Sequence, residues 1–136
     1  EAGPEFAAWF SAAARALAPW AARADAAPLR CWPHHFDLAT LVTLPGTDAE
    51  GRRRTVGCGL TPGDDARPAP YGYVTPWPYP WTAPRPSLRY GDWHVDGWLG
   101  AVLPAPAWIG ADGPAVAEAF FDEAFRTALE LHRCAD

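Results

Sequence analysis

Apolar positions recur at helical spacing at both ends of the chain and at strand spacing between them. At the N-terminus Phe6, Phe10, Ala13, Leu17 and Trp20 form one stripe, which predicts a helix over 4–25 with Pro4 in its first turn. Pro19 is expected to kink or end it near Ala18. At the C-terminus Val116, Phe120, Ala124, Ala128 and Leu131 share a face widened by Phe121 and Phe125. Glu118, Asp122, Arg126 and Arg133 take the polar side. Asp112 can cap this helix, Pro114 fits its first turn, and it runs to about Arg133.

Four strands are predicted in the middle. Phe36 to Leu44 and Arg53 to Leu60 form a hairpin around a polar turn over 45–51. A tight loop at 61–65 leads to a strand from Tyr71 to Thr75. Residues 76–86 hold five prolines, too many for a central strand. A fourth strand runs from Trp93 to Leu103, with a bulge near Gly97, and ends at Pro104 and Pro106. Helix, four strands, helix, with modest connections, predicts an α+β fold. An antiparallel sheet of four or more strands packs on the N-terminal and C-terminal helices in two layers, as a single domain over 1–136.

Composition narrows the function classes. The formal net charge is -5, lysine is absent, and the one basic cluster, Arg52-Arg53-Arg54, adjoins Asp48 and Glu50. Nothing there resembles a nucleic-acid footprint. No stretch is long and apolar enough for a membrane span, and the first 25 residues lack a signal-peptide core. The three cysteines, Cys31, Cys58 and Cys134, are odd in number and without C-x-x-C spacing. They predict buried thiols in a reducing cytoplasm, with neither a disulfide framework nor a structural zinc site.

The chemistry-bearing strings are His35-Phe36-Asp37 and His94-Val95-Asp96. On a strand, residues two apart share a face, so each string would present an imidazole and a carboxylate together. If the two strings converge, His35, Asp37, His94 and Asp96 could hold a divalent metal such as zinc, whose bound water would serve a hydrolase. A His–Asp proton-transfer pair is the other use of such strings, and a histidine bonded within the sheet the plainer one. His34 and Asp64 are auxiliary ligand-binding candidates, although Asp64 in a turn also suits local backbone hydrogen bonds. The aromatic run Tyr71, Tyr73, Trp77, Tyr79 and Trp81 offers a stacking wall, with Tyr73 and Trp77 as ligand contacts. Its alternative is Pro–aromatic packing that seals a sheet edge. Nucleophile motifs are missing, and Ser11 and Ser87 are the only serines. The expectation is therefore a small-molecule or metal-binding domain. The alternative is a non-catalytic structural or oligomerisation domain of a larger protein.

Three blocks in order, Trp32-Pro33-His34-His35-Phe36-Asp37-Leu38-Ala39, Gly57-Cys58-Gly59-Leu60-Thr61-Pro62-Gly63-Asp64 and Tyr71-Gly72-Tyr73-Val74-Thr75-Pro76-Trp77-Pro78, resemble an uncharacterised bacterial family frequent in actinobacteria. The resemblance covers roughly residues 29–131. It implies that Asp37 has a role common to the fold, while the double histidine is a subgroup feature. It also implies that this chain is the C-terminal part of a longer protein, in which case an uncovered sheet edge or face would promote a homodimer. No activity, cofactor or substrate follows from it.

Overall fold

The computed structural model describes residues 3–33, 36–108 and 111–135; the side chains of Glu5 and Phe6 lie outside the description. Of the residues singled out above, His34, His35 and the Phe6 side chain therefore fall outside it.

Helix α1 spans Gly3–Arg23 and α2 spans Gly113–Cys134. Between them lie β1 (Arg30–Trp32), β2 (Asp37–Thr47), β3 (Arg53–Thr61), β4 (Tyr71–Trp77), β5 (Asp92–His94) and β6 (Gly100–Pro104). The strands form one antiparallel sheet in the order β1-β2-β3-β4-β6-β5. Both helices cover the same face, giving the two-layer α+β arrangement expected from the sequence. Among the described residues no helix is long and apolar enough to cross a membrane.

The core follows from strand alternation. On β3, Val56, Cys58 and Leu60 point to the helices, while Gly57, Gly59 and Thr61 face the other way. Val74 on β4 and Ala101 and Leu103 on β6 complete the inner layer, against which Leu17, Trp20, Phe120 and Phe121 pack. Trp20 meets Phe121 and Phe125 at centroid distances of 5.9 and 5.3 Å.

Several elements differ from the sequence reading. Pro19 lies inside α1 and does not end it. Pro19 and Arg15, whose carbonyl loses its helical partner to the proline, are both exposed, so that carbonyl is open to solvent, and burial of Trp20 holds the last turn in place. Helix α2 has no side-chain cap from Asp112. Strand β2 runs on to Thr47 through Pro45 and Gly46, its ladder to β3 shifting register between Thr43 and Thr47. Strand β4 includes Pro76 although it is central, and the Trp77–Pro78 peptide after it is cis. The single strand expected over 93–103 is a hairpin instead: the chain reverses at Gly97, whose φ of 79° suits glycine, and β5 pairs with β6. A short edge strand, β1, adds to the expected set. Cys58 is buried, but Cys31 and Cys134 are exposed, so only one thiol belongs to the core.

Candidate functional site

The sheet face away from the helices is the one without a covering layer, and its floor is cut low by glycine. Gly57 and Gly59 on β3 sit between Leu41 and Ala39 on β2 and Thr75 and Tyr73 on β4. A Cβ at residue 59 would stand 2.5 Å from the Tyr73 hydroxyl and 2.6 Å from Cζ. Gly59 therefore lets the Tyr73 ring lie across β3, and its hydroxyl donates to Asp37 Oδ2 at the start of β2. Gly100 does the same for Trp98, whose ring would lie 2.5 Å from a Cβ there. Trp98 meets Tyr73 edge to face at 6.4 Å and stacks on His94 at 4.2 Å.

Two hollows open on this face. The larger, about 660 Å³, is lined by Trp32, Asp37, Ala39, Leu41, Tyr73 and Thr75, among others. The smaller, about 340 Å³, is lined by Asp37, Asp64, Tyr71, Tyr73, Tyr79 and Trp98 with two threonines. Asp37, Tyr73 and Thr75 belong to both, so they stand between the two. The larger volume falls in the range of small-molecule sites.

Asp37 is 9% exposed, and its Oδ1 is buried with no hydrogen-bond partner. Among the described residues no ion pair includes it. Burial, then the charge and hydrogen bond of Asp37, push the Tyr73 phenol well above the ordinary tyrosine range. Tyr73 is thus a fixed donor and not a base. Tyr71 repeats the arrangement: its hydroxyl donates to Asp64 Oδ2 at 2.6 Å, and burial followed by that bond raises its phenol. Asp64 Oδ1 accepts from the Arg67 backbone N–H at 2.8 Å, and the Asp64 N–H donates to the Arg67 carbonyl at 2.8 Å. Asp64 therefore closes its own loop, as its turn position suggests, while its second oxygen fixes Tyr71 at the rim of the smaller hollow.

The second histidine string has a different use. Arg67 Nε donates to His94 Nδ1 at 3.2 Å. Because the guanidinium only donates, Nδ1 is the acceptor and Nε2 carries the proton, which goes to the Asp96 backbone carbonyl at 2.8 Å. Both ring nitrogens are then occupied.

The two-residue spacing that motivated the metal reading needs extended backbone at the middle residue. Phe36 has a φ of 53°, and β2 begins only at Asp37. Val95 and Asp96 lie in the turn after β5, both exposed. The strands carrying Asp37 and His94 are four positions apart in the sheet, roughly 19 Å at the usual spacing. His35 lies outside the described residues, and among those described no three His, Cys, Asp or Glu side chains gather as metal ligands.

Of the ligand-binding candidates, Tyr73 lies at the centre of the face and Asp64 at its edge, while His34 is outside the description. Trp77 stands apart from both hollows and packs edge to face on Tyr79 at 4.9 Å; Tyr79 in turn meets Trp81 at 5.5 Å. The outer half of the aromatic run thus packs on itself. Sequence reasoning missed Trp32, Leu41, Thr75 and Trp98. The Gly57-x-Gly59 spacing was the available signal, since two glycines on one strand face mark a close approach. Compared with family models, with curated proteins and with solved structures, the chain matches none of them.

Proposed function

We propose that the protein binds a small molecule on the open face of its sheet, in the larger hollow, with Asp37 as its polar anchor. The observation that carries this reading is the Asp37 carboxylate. One oxygen is held by Tyr73 and the other is buried without a donor beside an apolar hollow. An unmet buried acceptor costs about 1–3 kcal/mol, more when charged, and a rotation of the carboxylate that turns this oxygen toward a ligand donor would recover it.

The test is a fragment panel read by thermal shift and by backbone amide spectra. Binding at this site moves the signals of Ala39, Leu41, Tyr73 and Thr75. Leu41 lines the hollow and is 45% exposed, so Leu41→Trp fills the space without disturbing the core. Loss of binding in that variant, at unchanged melting temperature, supports the reading. Fragments that bind only elsewhere, or that ignore Leu41→Trp, refute it.

A second reading rests on the rim. Trp32, Phe36 and Leu41 are 52%, 57% and 45% exposed beside the edge strand β1, and such a patch suits self-association. A mass measurement in solution separates the two readings: a dimer that Leu41→Glu returns to monomer favours the second.

A further inference from the structure

We infer that the ligand of this face is an organic cation, an ammonium or amidinium on an apolar body, with its charged nitrogen held at Asp37. The inference rests on the small-molecule reading above and specifies its chemistry. Among the described residues the larger hollow is lined by two charged side chains, Arg30 and Asp37. Arg30 is exposed on the edge strand, where water solvates it. Asp37 is buried, and its neighbours offer one neutral donor, the Tyr73 hydroxyl, against two carboxylate oxygens. A buried carboxylate is ordinarily paired with a cation, and the described residues supply none.

The surroundings favour the same class. The Tyr73 hydroxyl donates to Asp37, so its lone pairs remain able to accept from a cationic N–H. Tyr73 and Trp32 add aromatic rings to the lining, and the faces of such rings attract ammonium groups. The rest of the nearby wall, with Ala27, Pro28, Ala39 and Leu41, is apolar and suits a hydrocarbon or aromatic body. An anionic ligand would meet the Asp37 charge at short range, at a cost the solvated Arg30 cannot offset.

The test compares probes that share one body and differ in head group: phenethylamine, phenethyl alcohol and phenylpropionate, each titrated by ligand-observed NMR. The expected result is an amine at least tenfold tighter than the alcohol, with the carboxylate weakest. The amine's advantage over the alcohol disappears in Asp37→Asn. Should Asp37→Asn not fold, the head-group order in the native protein decides the matter by itself. If the alcohol or carboxylate equals or exceeds the amine, and Leu41→Trp still blocks it, the cation inference falls and the small-molecule reading stands. If no head group binds up to its solubility, both fall.

Discussion

Tyr73 reaches Asp37 only because residue 59, on the strand between them, has no side chain. The register places Tyr73 opposite Gly59 and Gly59 opposite Ala39, so the phenol spans a full strand to meet the carboxylate. Gly59→Ala puts a methyl 2.5 Å from the hydroxyl and forces the ring away. The expected cost is about 1–3 kcal/mol, typical of overpacking. Tyr73→Ala removes the obstacle, so the alanine at 59 should then be nearly neutral. A double-mutant cycle by urea denaturation checks this, and a coupling below about 0.5 kcal/mol would show that the two positions are independent.

Asp37 and Tyr73 contribute unequally to stability. Tyr73→Phe leaves the carboxylate buried with neither oxygen met by a donor, so the melting temperature should fall, with a loss of about 1–3 kcal/mol. Asp37→Asn keeps an acceptor for the phenol and removes an unpaired charge from a buried position. It should be neutral or stabilising. Thermal melts of both variants test the asymmetry, and an Asn variant less stable than the Phe variant would contradict it.

The architecture was legible in the sequence where periodicity is long and one-sided. The stripe through Phe120, Ala124 and Ala128 needs a helix, and the alternation Val56, Cys58, Leu60 needs a strand with one buried face. The site was less legible because it depends on relations across strands. Asp37 was singled out for its neighbour two residues away, yet its actual partner, Tyr73, is 36 residues distant. His94 likewise turned out to be held by Arg67, 27 residues away, and by the carbonyl of Asp96, not by that residue's carboxylate. Local strings report same-face geometry only where the backbone is extended, and the middle residues of the two His-x-Asp strings, Phe36 and Val95, both lie outside the strands. Pro76 misled for a related reason: a proline within a central strand becomes readable only once the register of both neighbouring strands is known.

Alkali should unfold the protein through three groups acting together. Tyr71 and Tyr73 are raised from the ordinary tyrosine value of 10.0, chiefly by burial, and Cys58 is raised from 9.0 by burial alone. In each case the fold keeps a proton that the unfolded chain releases. Their contribution is fully present below about pH 9 and is lost as the pH rises past the unfolded values. Each group adds a slope of up to about 1.4 kcal/mol per pH unit above its unfolded value. Urea denaturation at stepped pH should show a shallower loss in Tyr73→Phe than in the native chain. Parallel curves would mean that Tyr73 ionises within the fold.

Asp64 connects the loop at 61–68 to the His94 ring, and its removal should be felt at both. Its two oxygens accept from the Arg67 N–H and the Tyr71 hydroxyl, at 2.8 and 2.6 Å. Asp64→Ala therefore loses both bonds and leaves a buried phenol without its acceptor, for a cost of about 2–4 kcal/mol. Asp64→Asn retains one acceptor oxygen and should fall between. Adding Tyr71→Phe to Asp64→Ala should recover part of the loss, because no hydroxyl then remains unmet. The imidazole supplies an independent readout. Arg67 Nε holds His94 in the tautomer with its proton on Nε2, and that Arg67 is itself anchored by Asp64 at both its N–H and its carbonyl. Nitrogen NMR of the native ring should show this single tautomer. In Asp64→Ala the side-chain bond to the Arg67 N–H is lost while the main-chain bond to its carbonyl stays; the loosened loop should let Arg67 leave Nδ1, and the two tautomers should mix. A ring that stays in one form after the loop is loosened would place the control of His94 in its stack on Trp98 and not in Arg67.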